Sequence, residues 1–121
     1  MSNFSKTARR TKVRRRVRSK IFGTAEKPRL CVFKSSKHVY AQIINDQEHA
    51  TLAASSTLSK DLKGSFDGKT KMEKAEMIGE NLGKKAQDLG IAKVVFDRSG
   101  YKYHGIIKNV AEGARKRGLQ F

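Results

Sequence analysis

Apolar and polar residues alternate along His38–Ile44, with Val39, Ala41 and Ile43 on one side and His38, Tyr40 and Gln42 on the other. A period of two is the signature of a strand with one buried face. Just before it, Arg29-Leu30-Cys31-Val32-Phe33-Lys34 is a short apolar run, and Ser35-Ser36-Lys37 reads as the turn between two strands. Asn45-Asp46-Gln47-Glu48 reads as a second turn, and His49 to Ser56 as a weaker third strand. Three strands on short turns predict an antiparallel meander.

The period then lengthens. Residues 57–69 are polar, with Gly64 and Gly68, and read as a loop. Thr70-Lys71-Met72-Glu73 has the form of a capping box, and behind it Ala75, Ile78, Gly79, Leu82, Ala86 and Leu89 fall on one helical stripe. Gly79 and Gly83 are poor helix formers, so a close backbone approach to the sheet is expected there. Gly90 is a fitting stop. Ile91 to Phe96 predicts a fourth strand, residues 97–105 a polar and aromatic loop, and Ile106 to Arg117 a last helix with Ile107, Val110, Ala111 and Ala114 inward, ended by Gly118. The expected class is α/β, a mixed sheet in the order β-β-β-α-β-α with helices packed on it. No internal repeat is visible.

Charge divides the chain in two. Residues 1–20 hold Lys6, Arg9, Arg10, Lys12, Arg14, Arg15, Arg16, Arg18 and Lys20 and no acid. The remaining residues carry a net charge of only +7, out of +16 for all 121 residues. The reading is a basic arm over residues 1–26 and one α/β domain over 27–121. Within the arm, Val13, Val17 and Ile21 make a thin apolar stripe at helical spacing. Such a helix is marginal while its charges repel each other, and bound phosphates would let it form. Gly23 would end it, and Lys27-Pro28 requires an extended entry to the first strand.

An excess of +16 on a chain of one-domain length calls for a polyanion, and nucleic acid is the commonest. The acid-free, Arg-rich start also shares its composition with a mitochondrial transit peptide. No run approaches the length of an apolar membrane span. Cys31 is the only cysteine, so it forms no intrachain disulfide, which suits a reducing compartment.

Three segments are candidate contacts. The arm guanidinium groups can each grip phosphate in a bidentate manner. The first turn and second strand present Lys34, Ser35, Ser36, Lys37, His38 and Tyr40, a set of donors beside an aromatic face that suits an unpaired base, though an ordinary hairpin turn would look the same. The loop after the fourth strand gathers Arg98, Tyr101, Lys102, Tyr103 and His104 on a rigid mount, with Asp97 expected to cap the loop and Tyr103 to join the core. Arg29, at the start of the first strand, completes the basic set.

Enzyme readings are weaker. Gly64-Ser65-Phe66-Asp67-Gly68-Lys69-Thr70 resembles a P-loop but has three residues between its glycines where four are needed, and no apolar strand precedes it. Asp97, Ser99 and His104 have triad chemistry but share one short loop with no nucleophile elbow. Cys31, His38, His49 and His104 show no metal-ligand spacing. No helix-turn-helix for duplex DNA is visible. No cofactor, metal or small-molecule substrate is expected, and no catalytic residue.

Two stretches carry a resemblance to a known family. They are Pro28-Arg29-Leu30-Cys31-Val32-Phe33-Lys34-Ser35-Ser36-Lys37-His38-Val39-Tyr40-Ala41-Gln42 and Phe96-Asp97-Arg98-Ser99-Gly100-Tyr101-Lys102-Tyr103-His104-Gly105, the second followed by Ala114-Arg115 and Gly118-Leu119-Gln120-Phe121. Over essentially its whole length the chain resembles the bacterial-type large-subunit ribosomal protein eighteen family. That resemblance implies a non-catalytic, cytoplasmic ribosomal protein. It would bind 5S ribosomal RNA and help attach it to 23S ribosomal RNA in the central protuberance, beside other large-subunit proteins. It also implies that the arm, the Lys34–His38 turn and the Arg98–His104 loop meet RNA. Ile106 stands where the family often has arginine, so the resemblance implies one cationic contact fewer there.

Overall fold

The computed structural model describes residues 21–121, and the predicted arm helix lies outside them. The element order is β1 (Arg29–Lys34), β2 (Val39–Asn45), β3 (Ala50–Ser56), a 3-10 turn (Lys60–Leu62), α1 (Lys71–Asp88), β4 (Val95–Asp97) and α2 (Ile106–Lys116). The predicted α/β class and element order both hold. The strands form one sheet in the order β3-β2-β1-β4. The first three are the antiparallel meander, and β4 adds parallel to β1. That parallel pair needs the long crossover that α1 supplies.

Both helices lie on one face of the sheet. Leu30 and Val32 of β1 and Val39, Ala41 and Ile43 of β2 are buried there against Ala75, Ile78, Leu82 and Ala86 of α1 and Ile107, Val110 and Ala114 of α2. Thr70 caps α1 as its sequence predicts, its Oγ1 accepting from the Glu73 amide at 3.2 Å. At the other end Leu89 is exposed, although the stripe placed it inward. The reason is the cap: Gly90 takes φ +77°, and the amides of Gly90 and Ile91 turn back to Gln87 and Ala86, at 3.0 and 2.9 Å. This Schellman turn brings Ile91, not Leu89, against the core. It also uses up the start of the predicted fourth strand, which is therefore shorter and begins at Val95.

The α1 glycines do not face the sheet. A Cβ on Gly79 would collide with the Val110 carbonyl oxygen, and one on Gly113 with that of Glu76. Their missing side chains let the backbones of α1 and α2 approach each other directly. The sequence signalled a close approach, but the expected neighbour, the sheet, is replaced by α2.

A buried ion network joins distant parts of the chain. Arg29 is only 5% exposed. Its guanidinium donates to Asp97 Oδ2 at 2.7 Å and to both carboxylate oxygens of Asp46, at 2.9 and 3.1 Å. Burial, the largest single influence, would lower its pKa, but the hydrogen bonds to Asp46 and Asp97 and the negative charge around it together outweigh that, and the net shift is upward. Asp46 also takes the Gly23 amide at 2.7 Å, and the Gly23 carbonyl accepts from the Asp46 amide at 2.9 Å. Gly23 is buried against Ile44 and Arg29, with no room for a Cβ. Residues 21–26, grouped with the arm by composition, are thus tied to the body.

Two stability effects follow. Gly79→Ala should destabilise the fold by about 1–3 kcal/mol, because overpacking outweighs the gain in helix propensity. Arg29→Met should cost about 3–5 kcal/mol, because it leaves Asp97 buried without its partner. Urea unfolding midpoints measure both. Unchanged midpoints would mean that neither contact is as tight as described.

Candidate nucleic-acid interface

Among the described residues, the helices cover one face of the sheet and nothing packs over the other. In β1 the open-face residues are Arg29, Cys31 and Phe33, opposite Ile44, Gln42 and Tyr40 of β2 in the antiparallel register. Phe33 is 46% exposed, an apolar ring held in water. Around it runs a row of rings: His38 to Tyr40 at 6.3 Å, Tyr40 to Phe33 at 6.1 Å, and Phe33 to Tyr101 at 6.3 Å. A depression of about 480 Å³ opens here, lined by Cys31, Phe33, Ser35, Tyr40 and Gln42.

The β1–β2 turn is fixed by its own hydrogen bonds. The Ser35 amide donates to the His38 carbonyl at 2.8 Å, and the His38 amide to Ser35 Oγ at 3.2 Å. The His38 ring is held at 2.9 Å from Thr57 Oγ1, and Lys71 Nζ donates to the Ser36 carbonyl at 3.0 Å. Ser36 and Lys37 stay exposed, while Lys34 lays its ammonium over the Tyr101 ring, 5.5 Å from its centroid.

The 97–105 loop is built from Asp97, which is fully buried at the end of β4. Its Oδ1 accepts the Ser99 amide at 2.8 Å, which stabilises Ser99 at φ +56° ahead of Gly100 at φ +81°. Ser99 Oγ lies 3.0 Å from Cys31 Sγ. Tyr101 then bolts the loop to β1, its hydroxyl donating to the Lys34 carbonyl at 2.9 Å. Beyond it the loop leaves the open face. Tyr103 packs edge-on to Phe96, with centroids 5.9 Å apart, and accepts from Arg115 Nη1 at 3.0 Å. Phe121 stacks on Phe96 and lies under Arg115.

The sequence candidates therefore sort into groups. Lys34, Ser35, Ser36, Lys37, His38 and Tyr40 come together at the open face. Arg98 is half-buried, and Lys102 and His104 are exposed in the loop. Tyr101 is 8% exposed, so it supports the site with its edge and hydroxyl and offers little ring face to a ligand. Tyr103 belongs to the aromatic cluster at the chain end. Arg29 leaves the set, because its guanidinium is committed to Asp46 and Asp97. Lys6, Arg9, Arg10, Lys12, Arg14, Arg15, Arg16, Arg18 and Lys20 lie outside the described residues. Phe33 and Gln42 were missed as site residues. The signal for Phe33 was present, since it alternates with Val32 in β1 and pairs across from Tyr40.

The geometry also removes the triad reading. Asp97 serves Arg29 and the Ser99 amide, and the Ser99 hydroxyl faces Cys31. The P-loop look-alike is an exposed turn following the 3-10 segment, with no strand leading into it.

Comparison with known proteins places the chain in a family. The family described as ribosomal L18 of archaea, bacteria, mitochondria and chloroplast matches residues 4–121. The large ribosomal subunit protein uL18 of Finegoldia magna is 55% identical over 116 residues, covering 96% of this chain and 95% of the relative. That of Thermotoga neapolitana is 52% identical over 117 residues, covering 97% and 96%. That of Bacillus cereus is 51% identical over 116 residues, covering 96% and 95%. With its open aromatic sheet face, its basic arm and a match from end to end, the chain belongs to the ribosomal L18 family.

Proposed function

We propose that this chain is a non-catalytic constituent of the large ribosomal subunit that binds 5S ribosomal RNA and helps attach it to 23S ribosomal RNA in the central protuberance. The observation that carries the reading is the asymmetry of the sheet. One face is packed under two helices, while the other is left open, with Phe33 and Tyr40 in it and Lys34, Lys37 and His38 at its margin. Nine cations in the first twenty residues stand ahead of it in the chain. The proposed contacts are the arm lysines and arginines, the Lys34–His38 turn with Tyr40, and Arg98, Lys102 and His104 of the loop. Neighbouring large-subunit proteins complete the set of partners, and the site of action is the cytoplasmic ribosome.

Affinity and selectivity have different sources in this reading. Guanidinium and ammonium groups on phosphate supply most of the binding energy by releasing counterions. The body sets orientation and selects shape, since phosphate contacts carry no sequence information. Gly23 is tied to Asp46, and Asp46 to Arg29, at the end of β1 away from the Lys34–His38 turn, so the N-terminal segment joins the body at a fixed point.

Binding to a 5S ribosomal RNA transcript across a salt series, with transfer RNA as competitor, tests the proposal. If about five or six phosphates are neutralised, log K should fall against log salt with a slope of about −4 to −5. Replacing Arg14, Arg15 and Arg16 together by Ala should weaken binding strongly and reduce the slope by about 2–3, with the fold intact by circular dichroism. Equal binding to both RNAs, or a salt-insensitive complex, would overturn it.

A further inference from the structure

The depression on the open face lies on the side of the sheet away from the helices. Its floor is Cys31 and Gln42, paired across β1 and β2; its walls are the rings of Phe33 and Tyr40, and Ser35 stands at one end. None of these five lining residues is charged, while Lys34 and Lys37 stand in the adjoining strand end and turn. The Phe33 ring is backed by the edge of Tyr101, which the Lys34 backbone holds in place. The exposed rings are therefore set in position before any ligand arrives. Gln42 and Ser35 place amide and hydroxyl groups at the same opening.

An uncharged, aromatic-walled slot beside cations has the chemistry of a site for a flat heteroaromatic ring carried on a phosphate chain. A paired duplex cannot fill it, because its bases are stacked inside. Sequence-selective RNA recognition instead takes unpaired bases splayed onto aromatic side chains and reads their edges by hydrogen bonds. An apolar protein side chain would satisfy the rings but leave the cations and the amide without partners.

We propose that this depression seats one unpaired RNA base, stacked on Phe33 and flanked by Tyr40, with its edge read by Gln42 and Ser35. The proposal rests on the RNA-binding function above and adds to it the component that distinguishes one RNA from another.

The test uses the full chain and two variants at Phe33, a position exposed enough to accept both. Phe33→Leu keeps an apolar group but loses the stacking face. Its affinity for the 5S ribosomal RNA transcript should fall roughly 5- to 100-fold. The salt slope should stay unchanged, because no phosphate contact is lost. Phe33→Trp keeps a stacking ring, and the chain otherwise contains no tryptophan, so its emission reports on this site alone. Near wild-type affinity with quenching of that emission at saturation supports the seat. Phe33→Leu binding within twofold of wild type, or emission unaltered in the saturated complex, overturns it; the face would then be filled by a protein partner or by the chain itself. If the unaltered chain fails to bind the 5S transcript, a short unstructured oligouridine added to the tryptophan variant decides separately. Quenching retains the base seat while the 5S reading falls, and no quenching removes both.

Discussion

A guanidinium group withdrawn from water between two carboxylates governs how this chain is assembled. Arg29 alone would be too costly to bury, and so would Asp97; they are tolerated as a pair 2.7 Å apart, with Asp46 on the guanidinium and the Ser99 amide on the second oxygen of Asp97. The arrangement constrains more than one pair. Asp46, the second carboxylate, also holds Gly23, and Asp97 also sets the turn at Ser99. One cation at the start of β1 thus determines where the N-terminal segment joins the sheet, how β4 sits beside β1, and where the following loop begins. A residue counted among the candidate contacts is thus one that joins the N-terminal segment, β1 and β4.

The remaining architecture separates support from contact. Gly79 and Gly113 let the two helix backbones meet, so a thick apolar layer backs one face of a four-stranded sheet. With that face filled, the alternation of β1 and β2 necessarily sends Phe33 and Tyr40 the other way. The exposed rings are therefore a consequence of strand periodicity combined with one-sided packing, and the Phe33 ring is backed by Tyr101 of the loop after β4. The Tyr101 hydroxyl on the Lys34 carbonyl is the clearest such support, since it links the loop to the turn that carries the cations.

Local signals in the sequence gave the architecture well. The period of two over Val39–Ile43, the Thr70 capping box and the terminal glycines all correspond to what is found, because each depends on a few neighbouring residues. The misplacements share a different origin. Leu89 follows the helical stripe but falls on the cap, where backbone geometry overrides periodicity. Gly79 signalled a close neighbour, but that neighbour is α2 and not the expected sheet. Arg29 lies 68 positions from Asp97, a separation at which composition offers no clue to pairing. Phe33 lies in a short apolar run that assigns it no role, because its alternation with Val32 shows that the two point opposite ways but not which of the two faces will be covered. The candidate site was thus legible in its charges and in Tyr40, and illegible where it depends on which side the helices choose.

The open face has a consequence for the chain before it meets a partner. An uncovered aromatic face beside a sheet edge is an invitation to self-association. The β3 edge is partly closed, with Lys85 donating to the Ala54 carbonyl at 2.8 Å. Among the described residues Phe33 has no such cover. What keeps free copies apart is the net charge of +16, whose mutual repulsion acts over about a Debye length, ~8 Å at physiological salt. The same cations that would attract a polyanion therefore serve as a colloidal stabiliser while it is absent. Neutralisation of the charge and covering of the ring are best achieved together, by one partner.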